Sequence, residues 1–288
     1  MVFIRILVIG ATGVVGFHLA QQLEGRHEVI TAARSSKNVD YNADALDKTQ
    51  LVSLIENAKP DVIANAIKPP MSTDAMEKDR AQAYAVNTAL PETLARLQSR
   101  FGFKLVQFST DWVYEGLEGV IYTELSPVKP KNYYSFTKAQ CEEKIAALSD
   151  NYLILRTEGV FGFDERGANL FLRLKSAAKD GKEVLLPADQ YSQPISGKEL
   201  ARITAMLIDN GEKGIFNAVG RDYLSRFEFG ERVCSVIGWK CNLRKSSIKD
   251  KPLPVPACLR VSVEKVEKAV GTKIMSIDEQ IAELMVFA

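Results

Sequence analysis

The sequence predicts an α/β protein: a Rossmann-type, doubly wound parallel sheet with a smaller C-terminal substrate lobe. Three observations predict it. Short apolar runs alternate with helix-period segments, the first run feeds directly into a glycine-rich turn, and polar residues gather where later runs end. The first run, residues 2–9, is apolar apart from Arg5 and reads as a buried strand. It leads into Gly10-Ala-Thr-Gly13-Val-Val-Gly16 and an amphipathic helical stretch at 17–23. Residues 27–33, 61–67, 104–110 and 152–161 read as further buried strands, separated by helices near 47–58, 74–100 and 133–148. Past Gly159 the periodicity turns mixed. A helix at 198–208 and a strand at 214–219 return the chain to the first domain, and the remainder holds Pro252, Pro254 and Pro256 and two short terminal helices. The expected division is a dinucleotide-binding domain at 1–159 with a return segment at 193–220. Residues 160–192 and 221–288 would form the lobe. No repeat, low-complexity tract or flexible linker interrupts this plan.

Composition narrows the function classes. The chain has 288 residues, 46% hydrophobic and 25% charged, enough to bury a large core. Its 37 basic residues balance 36 acidic ones to a net charge of +1. That balance, without any basic run interleaved with aromatics, argues against nucleic-acid and membrane-surface partners. Cys141, Cys234, Cys241 and Cys258 are scattered, and there are only 2 His, so neither a metal site nor a disulfide framework is expected. A reducing cytoplasm is the expected setting. The N-terminal apolar run is too short to span a bilayer, is needed as a strand and lacks a signal-peptide cleavage pattern.

The chemistry is carried by two segments. In the glycine turn, Gly10, Gly13 and Gly16 let the backbone turn tightly, approach a pyrophosphate and pack helix on strand. Thr12, Val14 and Val15 then fall where a helix N-terminus offers amides to an anion. Downstream, Tyr134 and Lys138 are four apart in a helical segment, so they share a face. A lysine there should lower the tyrosine pKa by its charge and hydrogen-bond a nicotinamide ribose. Tyr133 is excluded from that role, because its spacing of five to Lys138 turns the two apart. Thr110, ending the run Lys104-Leu-Val-Gln-Phe-Ser-Thr110, can hold a substrate carbonyl while hydride arrives and Tyr134 supplies a proton. Ser109 reads as structural. The expected reaction is carbonyl reduction or its reverse.

The spacing G-x-x-G-x-x-G, with Thr110, Tyr134 and Lys138, resembles the extended branch of the short-chain dehydrogenase/reductases. Ser109-Thr-Asp-Trp-Val-Tyr-Glu-Gly116, Tyr134-Ser-Phe-Thr-Lys138, Leu153-Ile-Leu-Arg-Thr157 and Asp189-Gln-Tyr-Ser-Gln-Pro194 are similar to successive motifs of dTDP-4-dehydrorhamnose reductases. The resemblance runs from Ile6 to about Gly271. It implies an NADP(H)-dependent reductase of the 4-keto group of a nucleotide-linked 6-deoxy sugar, and a homodimer. It also implies cofactor contacts from Asp44 and Ala45, from Asn65, Ala66 and Ile67, and from Asn87. Lys68, Thr110, Asp111, Trp112 and Gln190 would face the substrate. NADP(H) is preferred over NAD(H), which stays open, because the second strand is followed by Arg34-Ser-Ser-Lys37, suited to a 2′-phosphate, rather than by an acid.

Departures from the family pattern set the alternatives. Trp112 stands where the related dehydratases carry a glutamate, which counts against elimination chemistry. Lys68-Pro-Pro70 replaces small and aromatic residues, Gly159 stands in place of a tryptophan, and Val255-Pro256 replaces an Arg-Pro pair. A noncatalytic NADP-binding partner resembling the regulatory β subunit of methionine adenosyltransferase and a nucleotide-sugar 4-epimerase are the competing readings.

Overall fold

Residues 3–165, 167 and 169–285 are described by the computed structural model, so Val2 of the expected first strand lies outside the described residues. The main sheet has seven strands, in the order Gly214–Asn217, Tyr152–Thr157, Lys104–Thr110, Val62–Asn65, Arg5–Ile9, Glu28–Ala33 and Tyr41–Asn42. All neighbours pair in parallel. A parallel sheet must be covered on both faces, which is why its strands read as continuous apolar runs. In Lys104–Thr110 all seven residues are buried.

On one face the helices Val14–Leu23 and Gly197–Asp209 pack over Ile6, Val8, Val106 and Leu155, and Val266 and Val270 of the helix Glu264–Val270 close the same cluster. On the other, Leu51, Leu54 and Ile55 of Lys48–Ala58, Leu94 of Leu90–Phe101 and Ile145 of Tyr133–Leu148 cover Leu7, Ile63 and Leu105. Each such Leu or Ile contributes about 1.5–3 kcal/mol by leaving water. A third cluster, built from Phe161, Phe171, Leu174, Phe229 and Val233, also takes in Ile281 and Leu284 of the last helix. The chain therefore crosses repeatedly between cores. Phe161 bridges Ser196, Ser196 N donates to Gln280 Oε1 at 2.7 Å, and Ile277 N donates to Asp222 Oδ2 at 2.7 Å.

Three expectations change. The strand expected over 152–161 ends at Thr157, because Gly159 takes φ +51 and turns the chain. The single helix expected over 74–100 is broken into Thr73–Lys78, Arg80–Tyr84, a π turn at Ala85–Ala89 and Leu90–Phe101. Asp79 starts the second piece by accepting from Gln82 N, and the π turn sets Asn87 and Thr88 inward. A disulfide, not expected from scattered cysteines, joins Cys234 and Cys241. The helix Arg226–Ile237 ends at a left-handed Gly238, and Trp239 N bonds back to Cys234 O, which returns Cys241 to the helix end.

Candidate active site

The glycine turn leaves no room for side chains. Gly10 sits at φ +86, and a Cβ there would lie 2.9 Å from the backbone of Ala66 and Ile67; one on Gly16 would lie 2.4 Å from Gly10 O. Gly10 therefore fixes how closely the first turn approaches the end of the strand Val62–Asn65, and Gly16 fixes how closely the helix approaches the turn. That helix starts directly after Gly13, three residues earlier than the periodicity suggests, and no described side chain caps it. The first-turn amides at Val14, Val15 and Gly16 are thus presented at the carboxyl edge of the sheet, with Thr12 partly buried beside them. A pyrophosphate fits this cradle.

Beyond the second strand, Arg34 and Lys37 are exposed, and the intervening loop is held by Ser36 N donating to Asn42 Oδ1 at 2.8 Å. An acid does approach this loop, but from a distant segment of the chain: Glu165 accepts from Asn38 Nδ2 at 3.0 Å and Ser36 Oγ at 3.4 Å. Asp44 organises its own turn, accepting from Leu46 N at 3.0 Å, while Asp47 is the helix cap that accepts from Thr49 N and Gln50 N. Ala45 is buried beside it. Asn65 is engaged inside the sheet, donating to Gln107 Oε1 at 2.8 Å, so Ala66 and Ile67 are the residues left facing the turn. Asn87 is not on a helix surface. It is buried and donates to Thr137 Oγ1 at 3.0 Å, while Thr88 Oγ1 donates to Thr137 O at 2.8 Å, so the π turn braces the helix segment between Tyr134 and Lys138.

Thr110 and Tyr134 converge, and Lys138 lies one turn further along the helix from Tyr134. Asn132 caps their helix through a reciprocal bond with Ser135 and ties it to the proline loop by donating to Pro254 O at 2.9 Å. Tyr134 hydrogen-bonds Thr110, and Trp112 meets its ring edge-on at 5.9 Å. Lys138 departs from expectation. Its Nζ donates to Phe108 O at 3.0 Å, and burial holds its pKa below the ordinary lysine value. The Tyr134 pKa is raised, not lowered: burial dominates, the Thr110 bond opposes it, and the negative charges of Glu158 and Asp111 add to it. Tyr134 is therefore a phenol that keeps its proton until a substrate oxygen calls for it. Below the triad, Arg156 is buried against Glu142, with its Nε 3.1 Å from both carboxylate oxygens, and donates to Tyr114 Oη at 2.6 Å. Ser109 Oγ donates to Glu142 as well, so it is tied into this buried pair.

The residues expected to face substrate divide. Asp111 is fully buried beside Thr110, and Trp112 is buried against Tyr134. Gln190 is buried and accepts from Lys251 Nζ at 2.8 Å, whereas Lys68 is exposed on the loop after Ile67. Among the described residues no helix is long and apolar enough to cross a membrane, and no group of three His, Cys, Asp or Glu side chains could hold a metal.

Residues 4–286 match the family model described as the RmlD substrate binding domain. The chain belongs to the RmlD family. A dTDP-4-dehydrorhamnose reductase from Burkholderia thailandensis is 35% identical over 70% of this chain and 64% of its own length, so that match spans somewhat less than two thirds of the relative. One from Sinorhizobium fredii is 26% identical over 98% of this chain and 96% of its own length. Among solved structures, the Bacillus anthracis dTDP-4-dehydrorhamnose reductase in complex with NADP superposes with a TM-score of 0.90 at 23% identity, covering 100% of both chains. The Thermus thermophilus UDP-glucose 4-epimerase complex with NAD gives 0.82 at 19% identity, over 98% of this chain and 99% of that one. The fold is thus the one that reductases and epimerases share.

Gly159 is held by its surroundings. A Cβ there would lie 3.2 Å from Pro194 Cβ, at a φ of +51 that disfavours any side chain. Glu158, just before it, is buried, with Arg226 Nη1 at 3.5 Å. Neither Glu158 nor the Arg156–Glu142 pair belongs to a catalytic motif. The available signal was charge itself: Arg156 interrupts an apolar strand, and a charge in such a place needs a buried partner.

Proposed function

We propose that this chain reduces the 4-keto group of a dTDP-linked 6-deoxy sugar, with NADP(H) as preferred cofactor and NAD(H) as the alternative. The observation that carries it is the junction of the Thr110 and Tyr134 hydroxyls at the carboxyl edge of the sheet, on the same edge as the side-chain-free glycine cradle. The family's reductase relatives point to the sugar, and the NADP-bound relative, with Arg34 and Lys37 exposed after the second strand, to the cofactor.

In this reading Gly10, Thr12, Gly13, Val14, Val15 and Gly16 hold the pyrophosphate, and Arg34 holds the ribose phosphate. When bound, the cofactor supplies the hydride. Thr110 orients the keto oxygen. Tyr134, kept protonated by its burial, gives its proton to that oxygen as negative charge develops there. Lys138 fixes the Tyr134 face of the helix through Phe108 O and is placed for the nicotinamide ribose. Asp111, Trp112 and Gln190 border the sugar, and the segments 160–192 and 221–288 supply the lobe over it.

The test is NADPH oxidation at 340 nm with dTDP-4-keto-6-deoxy sugars. Tyr134→Phe should lower kcat by about 10²–10⁴-fold, the usual reach of a general acid, with cofactor affinity unchanged. Wild-type turnover in that variant would overturn the mechanism.

A further inference from the structure

The strands ending at Thr110 and Thr157 are paired neighbours in register, Thr110 opposite Thr157. Asp111 and Glu158 are therefore the next residues off two adjacent parallel strands, side by side at the edge where this sheet places its chemistry. Asp111 is 0% exposed; its carboxylate oxygens make no hydrogen bond of full geometry, and what lies within reach of them is the Thr110 hydroxyl and the Trp112 amide, while the nearby Thr157 hydroxyl, on a residue 8% exposed, has no partner. Glu158 is 8% exposed, and its one ion pair among the described residues is the long contact to Arg226, whose side chain is 29% exposed. Ionising Asp111 there is costly, because it is buried and the Glu158 carboxylate lies beside it.

We propose that the Asp111 carboxyl, with Glu158 beside it, returns to Tyr134 through the Thr110 hydroxyl the proton that the tyrosine gives to the substrate. The inference rests on Tyr134 acting as the acid of a carbonyl reduction. The step balances as follows. Once Tyr134 has protonated the new alkoxide, it is a phenolate. The O–H bond of the protonated Asp111 carboxyl breaks, Thr110 takes that proton while passing its own hydroxyl proton to the phenolate oxygen, and both carboxyls are left ionised. One proton then returns from solvent past Glu158, on the side where Arg226 is partly exposed.

The surroundings agree with this direction of flow. The Asp111 carboxyl is held well above the ordinary range, by burial first and by the Glu158 charge second. The charged and titratable groups acting on the pair are Tyr134 from the helix Tyr133–Leu148, Arg226 at the start of Arg226–Ile237, and Lys251 from the proline loop. Lys138 makes its hydrogen bond to Phe108 O.

The experiment is the pH profile of kcat for dTDP-4-keto sugar reduction in wild type, Glu158→Gln, Glu158→Asp and Asp111→Asn. Removing the Glu158 charge lets Asp111 lose its proton at lower pH, so the alkaline fall of kcat should move down by one pH unit or more in Glu158→Gln. KM and NADPH affinity should stay within about twofold, and Glu158→Asp should restore the wild-type profile. Asp111→Asn should lower kcat by about 10²-fold, in the range of a lost proton-transfer group. If Asp111→Asn fails to fold, Glu158→Gln decides alone. A Glu158→Gln profile that superimposes on wild type, or a loss confined to KM, would overturn the pair as a proton source while leaving the reductase standing. An inactive wild type across the sugar panel would overturn both.

Discussion

The two ends of the site are built by opposite means. At the dinucleotide end the work is done by backbone: three glycines within seven residues, a helix start without a side-chain cap, and a close approach to Ala66 and Ile67. At the end where Thr110 meets Tyr134 it is done by side chains brought from distant segments: Asp111, Tyr134, Glu158, Gln190, Arg226 and Lys251. Backbone cradles tolerate almost no substitution but bind a group common to many enzymes. Side-chain clusters can be rewritten one residue at a time.

The sharpest way to break the dinucleotide end is Gly16→Val. Its first added atom already lies 2.4 Å from Gly10 O, a backbone atom that cannot rotate away. We expect a stability loss of about 3 kcal/mol or more, with cofactor binding abolished, read by denaturant unfolding and cofactor titration. Wild-type affinity for NADPH would show that the turn is not the cradle.

A smaller effect tests the seam between the two ends. His18 lies on the first helix against Gly162 and Gly197, and burial, then the Lys198 charge, lower its pKa to about 4. The unfolded chain binds that proton near pH 6.5 and the folded chain only near 4, so stability should fall as pH drops through this window. The loss is on the order of 3 kcal/mol once complete. In His18→Gln the pH dependence of unfolding between those limits should flatten; an unchanged slope would assign the acid sensitivity elsewhere.

The mildest prediction concerns Arg34. Arg34→Ala should weaken NADPH by about tenfold and NADH by less than twofold, since an exposed cation gains only a modest charge-assisted bond. Equal losses would remove Arg34 from the ribose phosphate, and Glu165, which already bonds Ser36 and Asn38, would become the residue to vary.

What could be read from the sequence follows the same division. The glycine turn and the sheet strands were legible because backbone constraint and burial leave local signatures: glycine spacing and unbroken apolar runs. Thr110, Tyr134 and Lys138 were legible because their spacing puts two of them on one helical face. The sign of the Tyr134 shift was not, since it depends first on how deeply the folded chain buries the ring, then on the Glu158 charge, 24 positions away, and on where Lys138 Nζ goes once Phe108 O is within reach. Nor was the π turn, whose cause is a contact with Thr137 on another helix. The Cys234–Cys241 link depends on a glycine-terminated helix doubling back, which spacing alone does not reveal.

The repeated crossings between cores bear on how the molecule comes apart. Gly197 N donates to Phe161 O at 2.7 Å, Gly220 N to Gln193 O at 3.0 Å, and the last two helices join different clusters, so neither core can melt without pulling strands of chain out of the other. Cooperativity is thereby woven across the cleft: heating should give a single transition, and a ligand that grips either side should raise the melting point of the whole.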